Sequence, residues 1–309
     1  MTELTVDKRD AELVSKLRDY CEEKGSQSAV AKMIGYSAAV VSQYLQNKYH
    51  GNIEAFESAL RELFANIEAS REIESIKIDA GYVPTSVSVG VYGTIRMCHL
   101  KGGFAMECGE AGIGKTMACK KYAEDYPNTA IYISINPCLN NITAVLKLLC
   151  RKLGLSYGRK DDMFLNICDA LYGDRKVIII DEAQHLTIKT LEAIRALFDI
   201  QENVGVCLVG NIGINETINK TVGNYAQICN RMKLRNIRST KDINTDDIML
   251  LFPAVQNDKK AVELLLRVAR TDQAVRGAQN LYSNALDNNN ITAQGLIEMA
   301  KYMHVNGGY

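Results

Sequence analysis

The sequence predicts an α/β fold, a parallel sheet flanked by helices, with an all-α domain before it and a helical lid after it. Three observations predict this. The first is a glycine-rich stretch, "CGEAGIGKT" (Cys108–Thr116), set between an apolar run and a helix-forming segment. The second is "KVIIIDEAQHL" (Lys176–Leu186), where four consecutive β-branched residues end in two acids. The third is the alternation of apolar runs with amphipathic stretches, which builds parallel sheets with ligands at the strand C-termini.

Gly109, Gly114, Lys115 and Thr116 satisfy the pattern G-x-x-x-x-G-K-[ST] in full. "GGFAMEC" (Gly102–Cys108) supplies a strand before it, and "TMACKKYAEDY" (Thr116–Tyr126) a helix that stops at Pro127. Glycines at such a turn let successive N–H groups point inward at phosphates. Gly109, Gly112, Ile113 and Gly114 are therefore the expected cradle. Lys115 places a charge at the β- and γ-phosphates, and Thr116 offers a hydroxyl to Mg²⁺. A run as apolar as Val177–Ile180 reads as a central strand buried on both faces. At its end, Asp181 can hold Mg²⁺ through water while Glu182 orients and polarises the attacking water. ATP and Mg²⁺ are the expected cofactors, and hydrolysis the expected reaction.

"AIYISIN" (Ala130–Asn136) reads as a strand and "NITAVLKLLCRKLGL" (Asn141–Leu155) as an amphipathic helix. "VGVCLVGN" (Val204–Asn211) is another strand; Asn211 either positions water beside the γ-phosphate or caps the turn. From about 242 the pattern turns helical. Within this lid, Arg276 in "QAVRGAQ" either reaches the γ-phosphate or lies on a solvated face.

The first 66 residues read as helices separate from the ATPase. "DKRDAELVSKLRDYCEEKG" (Asp7–Gly25) places Leu13, Val14, Leu17 and Cys21 on one face. Ser26 or Ser28 caps a short helix ending at Gly35, and Ser37 caps a second, Ala38 to Gln46. Ala31, Ile34, Val41 and Leu45 supply the contacts between them. Short helix, glycine turn and Ser-capped helix form the helix-turn-helix pattern, here of the lambda-repressor and Cro type. Ser37, Ser42, Gln43, Gln46 and Lys48 are the candidate DNA contacts. Eight Lys/Arg against ten Asp/Glu in this segment imply weak DNA binding, and a protein-contacting helical bundle is the alternative.

The 309 residues leave room for two or three domains: 1–66, a linker 67–86, a nucleotide-binding core 87–241 and a lid 242–309. A formal net charge of zero means that any DNA contact rests on local patches. The nine cysteines are dispersed, with no C-x-x-C, and read as reduced, mostly buried small hydrophobes. No apolar signal region opens the chain and no 18-residue apolar run occurs in it, so a cytoplasmic protein with no membrane partner is expected.

Taken in order, the helix-turn-helix, "GEAGIGKT", "VIIIDEAQHL", "CLVGN", "CNRMKLR" and "QAVR" resemble the AAA+ target-selection ATPases of transposable elements, the family of the bacteriophage Mu B transposition protein. The resemblance covers nearly the whole chain. It implies self-association into an ATP-dependent helical filament on double-stranded DNA, delivery of that DNA to an integrase-type transposase, stimulation of strand transfer, and disassembly controlled by hydrolysis. Arg159 and Lys160, at the tip of "GLSYGRKDD" (Gly154–Asp162), match the family's basic DNA-facing loop. In the cationic run Cys229–Lys241, Arg231 aligns with the family's arginine finger, acting in trans on a neighbour's nucleotide, with Arg235 second. An ATP-regulated helix-turn-helix repressor and a helicase-loader-type ATPase are the competing readings.

Overall fold

The computed structural model describes residues 9–76, 81–173, 175–200, 203–220 and 232–305, in two compact units, Met1–Asp79 and Ala80–Tyr309. The first unit holds α1 (Ala11–Glu23), α2 (Gln27–Met33), α3 (Ala38–Leu45) and α4 (Ile53–Ile76). Asp10, Ser26 and Ser37 start the first three helices by accepting first-turn N–H groups, so Ser26 rather than Ser28 is the cap. Gly35, at φ +73, makes the left-handed turn between α2 and α3. Leu17, Val30, Val41, Tyr44, Phe56 and Leu60 are fully buried, with Ile34 and Leu45 packed at the margin. Helix α4 runs straight across residue 66, because its buried Phe56 and Leu60 and the half-buried Leu63, Phe64 and Ile67 continue one apolar stripe.

The second unit begins with α5 (Ser86–Lys101) and continues β1 (Gly103–Gly109), α6 (Lys115–Asp125), β2 (Ala130–Ser134), α7 (Ile142–Leu153) and α8 (Lys160–Leu171). Then come β3 (Lys176–Asp181), α9 (Ile188–Ile200), β4 (Val204–Gly210), α10 (Ile212–Lys220) and β5 (Met232–Arg238). The lid is α11 (Thr245–Leu251), α12 (Lys259–Ala269), α13 (Ala274–Asp287) and α14 (Ala293–Tyr302). The five strands are parallel, in the order β2-β3-β4-β1-β5. β1 and β4 are buried at every position and β3 at all but its first, which is why their sequences are apolar without alternation. One core joins α5, α6 and the lid to one face of the sheet; the other joins α7, α8 and α9 to the opposite face.

Two elements go beyond the sequence reading. Helix α5 carries Gly90, Gly93 and several β-branched residues, which are poor helix formers. Tertiary packing overrides that preference. Val87, Val91, Ile95 and Cys98 bury one stripe on the sheet. Close approach needs glycine in the strand beneath, since a Cβ on Gly205 would overlap the Cys98 carbonyl. The second element is β5. Its cationic sequence alternates exposed and half-buried positions as a sheet edge does. Its Arg238 donates to the buried Glu107 of β1 through Nε and Nη2, each at 3.0 Å. Asn236 Nδ2 adds 2.7 Å and Thr94 Oγ1 a further bond, so the Glu107 carboxylate is satisfied by three side chains.

Candidate functional site

Strand β4 lies between β1, which leads into the glycine loop, and β3, which ends in the two acids. The C-terminal ends of these neighbouring parallel strands therefore open on one side, with Asn211 between the loop and the carboxylates. Gly112 and Gly114 stand at φ +77 and +97, a backbone that L side chains rarely adopt. Gly109 is pressed on β5: a Cβ there would overlap the Arg238 carbonyl, which accepts the Glu110 N–H at 3.3 Å. Ile113 contributes backbone only, because its side chain is in the core.

Lys115 opens α6 and is 9% exposed. Its Nζ donates to the loop's own carbonyls, Gly109 O at 3.0 Å and Glu110 O at 2.6 Å. Burial draws the ammonium below the ordinary lysine value, while Glu182 and then Asp181 pull it back up. A lysine under the field of both acids, beside a turn of left-handed glycines, fits a phosphate ligand and its metal. Thr116, half-buried on the first turn of α6, is the hydroxyl at that position. Among the described residues no group of three or more His, Cys, Asp or Glu side chains could hold a metal by itself. Mg²⁺ commonly takes one carboxylate plus substrate phosphates, which suits Thr116 and Asp181.

Asp181 is 2% exposed and both its oxygens are engaged. Oδ2 accepts from Tyr132 Oη at 3.0 Å, and Oδ1 from the Glu182 N–H at 2.9 Å. Burial and then Asp181 push the Tyr132 phenol far above its ordinary value, so it stays a donor. Glu182 itself has φ +55, an uncommon backbone for a residue with a Cβ, and the kind of strain that clusters at active sites. Its carboxylate accepts from Gln184 Nε2. Asn211 donates its N–H to Gln184 Oε1 at 3.0 Å, and its Oδ1 accepts the Gly213 N–H at 2.8 Å, so the side-chain carbonyl starts α10. Tyr132 and Gln184 were absent from the sequence reading; the hydroxyl inside the otherwise apolar "AIYI" (Ala130–Ile133) is the one signal that marks the first.

The lid touches the loop. A Cβ on Gly112 would lie 3.2 Å from Ala274 Cβ and 3.4 Å from Arg276 Cβ. Ala274 holds φ +54 at this contact. Arg276 is thus beside the cradle on the first turn of α13. Arg231 lies outside the described residues. Arg235, on β5, is bonded through Nε to Asn215 Oδ1 of α10 at 2.8 Å.

The predicted DNA contacts lie elsewhere. Arg159 precedes α8 with its side chain 82% exposed, and pairs with Asp161 at 3.4 Å; Lys160 is exposed beside it. An open groove of about 550 Å³ on α7, lined in part by Lys147, Leu148, Arg151 and Tyr157, lies near this loop. In the helical unit, Ser37 Oγ is spent on the Val40 N–H and Ser42 Oγ on Gln46 Nε2, while Gln43 and Lys48 are exposed. The eight described cysteines are free thiols, seven of them buried. No described helix is long and apolar enough to cross a membrane.

A glycine cradle, a buried lysine, paired acids on a strand separated from it by one other, and a helical lid on the cradle define an AAA+ P-loop ATPase fold. A family model described as an AAA domain matches residues 99–218. The chain is 24% identical over 278 residues to the Mu-like prophage FluMu DNA transposition protein B of Haemophilus influenzae, covering 88% of this chain and 95% of that protein. It is 28% identical over 254 residues to the ATP-dependent target DNA activator B of Escherichia phage Mu, covering 80% and 78%. Among solved structures it is similar in fold to the Aeropyrum pernix ORC2 protein, with a TM-score of 0.53 at 13% identity, covering 72% and 70%. The resemblance carried by the motifs thus extends along the chain.

Proposed function

We propose that this protein is an ATP-dependent DNA-binding ATPase that assembles as a filament on target DNA. It delivers that DNA to an integrase-type transposase, stimulates strand transfer, and leaves DNA when ATP is hydrolysed. The observation that carries the reading is similarity across 88% of the chain to a DNA transposition protein, on a fold whose loop and acids fit ATP. The relative in phage Mu, named an ATP-dependent target DNA activator, supports the same role.

In this reading the loop N–H groups and Lys115 hold the phosphates, and Lys115 exchanges its loop carbonyls for phosphate oxygens. Thr116 and Asp181 would hold Mg²⁺, with Tyr132 fixing the Asp181 rotamer. ATP is the source of the phosphoryl group that passes to water, and Mg²⁺ would neutralise charge on its phosphate oxygens. Glu182 takes the proton of that water, and Asn211 and Arg276 face the same end of the nucleotide. Arg231, from a neighbouring subunit, stabilises charge on the transferring group, which makes hydrolysis depend on assembly. Arg159 and Lys160 meet the DNA backbone, and the helix-turn-helix adds a weaker accessory contact.

The test separates binding from hydrolysis. Lys115→Ala should abolish nucleotide binding and ATP-dependent DNA retention. Glu182→Gln should retain both while hydrolysis falls about 100-fold or more, since only the base is lost. Equal loss of ATP binding in both variants would overturn these roles. Removal of residues 1–79 should leave ATP-dependent, sequence-independent DNA binding in place. Its complete loss would favour the repressor reading.

A further inference from the structure

We propose that Gln184 is a positioning residue for Glu182, tying the general base to the end of β4. The inference rests on the hydrolytic reading above. Gln184 sits in the short turn Ala183–His185 that follows β3, two residues beyond Glu182. Its carboxamide spans the two strand ends. Nε2 donates to Glu182 Oε2, and Oε1 accepts the Asn211 N–H at 3.0 Å. A backbone N–H can only donate, so Asn211 dictates which end of the amide faces which strand. Oε1 must turn to β4, and the NH₂ is thereby presented to Glu182. One carboxylate oxygen is held and the other is left for a water proton.

The surrounding backbone is shaped for this amide. A Cβ on Gly210 would overlap Gln184 Oε1, so glycine at the last position of β4 is the condition for the bridge. A Cβ on Gly213 would lie 2.9 Å from Asn211 Oδ1 and 4.0 Å from Gln184 Cβ. Glu182, Gln184, Asn211 and Gly213 are thus linked in one hydrogen-bonded chain from β3 to the start of α10. Asn211 stands between the loop strand and the acid strand. Any shift of its backbone therefore reaches the Glu182 carboxylate through a single planar group. Displacing a catalytic group by about 1 Å can cost roughly 100-fold in rate, which is the scale at which such a tether matters.

Full-length chain tests this with steady-state ATP hydrolysis, alongside separate binding of a non-hydrolysable ATP analogue with Mg²⁺. Gln184→Glu keeps the acceptor for Asn211, removes the donor to Glu182, and preserves size. Gln184→Ala removes the bridge, and Gly210→Ala drives it off β4. Each should lower kcat about 10-fold or more, with analogue affinity and KM within about 2-fold, because ground-state binding is untouched. The double variant Gly210→Ala/Gln184→Ala should be no slower than Gln184→Ala alone, since both changes remove one interaction. A Gln184→Glu variant with wild-type kcat would overturn the proposal. So would parallel losses of kcat and affinity, or multiplying effects in the double variant. A wild type that does not hydrolyse ATP overturns the hydrolytic reading and this inference together; a hydrolysing wild type with unaltered variants overturns the inference alone.

Discussion

Glu57 in the helical unit and Glu107 in the α/β unit are both buried carboxylates, and the two are satisfied in different ways. In the helical unit, Glu57 is 7% exposed and accepts from Tyr44 Oη at 2.8 Å, the Asp10 N–H at 2.7 Å and the more exposed Arg61 at 3.3 Å. In the α/β unit, Glu107 has no exposure and meets the edge of the Arg238 guanidinium in a two-bond fork. Two neutral donors, the Tyr44 hydroxyl and the Asp10 N–H, do most of the work in the first case. In the second, a charge from 131 residues downstream does it. The buried fork fixes which residue of β5 sits beside Glu107, and so the register of the edge strand. Glu57 instead fastens α3 to α4 inside a small helical unit, where packing already sets the arrangement.

That contrast predicts unequal costs. Arg238→Ala leaves Glu107 buried without its cation and should destabilise the α/β unit by about 3–5 kcal/mol. Denaturant unfolding followed by ATP-analogue binding checks this. The Arg238→Ala/Glu107→Gln pair should recover part of the loss; no recovery would show that the guanidinium packs against Gly90 rather than pairing. Tyr44→Phe should cost the helical unit about 1–3 kcal/mol, because Glu57 keeps two other donors but loses a buried one. A cost equal to that of Arg238→Ala would erase the distinction between the units.

The same contrast explains what was legible in the sequence. The placement of Gly109, Gly114, Lys115, Thr116, Asp181 and Glu182 was readable because it follows from spacing within one strand and the turn after it. The cap Ser37 was readable for the same reason, while the cap of α2 was narrowed to Ser26 or Ser28 and the structure takes Ser26. Helix α5 was not: its glycines and β-branched residues argue against a helix until Gly205 and Arg238 are brought against it. β5 was hidden because a run of cations carries no apolar strand signal, and the carboxylate that pairs with Arg238 lies 131 residues away in sequence. Tyr132 and Gln184 were missed on similar grounds. Each acts on a residue that only the strand order or a folded turn brings within reach.

Smaller effects sharpen the comparison within the helical unit. Ser37→Ala removes the cap on α3, where Oγ accepts the Val40 N–H at 3.4 Å, and should cost about 1 kcal/mol. Thermal unfolding of that unit, resolved by a probe on α3, reads it. Since Ser37 Oγ is committed to its own helix, the stability loss should come with little direct loss of DNA affinity. A large affinity loss at unchanged stability would instead make Ser37 a base or phosphate contact.

The smallest effect concerns Asp10, which caps α1 and pairs with Arg61 at 3.1 Å. The Arg61 hydrogen bond, then the Leu13 N–H, hold its carboxyl below the ordinary value of 3.8. A carboxyl whose folded-state pKa is depressed binds protons less readily when folded than when unfolded. Its contribution is therefore complete above the unfolded value and is lost as pH falls through the folded one. Wild type and Asp10→Asn should differ most in helical-unit stability at neutral pH, and the gap should narrow as pH drops below about 4. Salt should narrow it as well, because both side chains of the pair are open to solvent and screened. The Glu107 pair has no such screening, so salt that narrows the Asp10 gap should leave the cost of Arg238→Ala nearly unchanged. Equal salt sensitivity of the two would mean that Glu107 is reached by solvent, and that the two units handle their carboxylates alike.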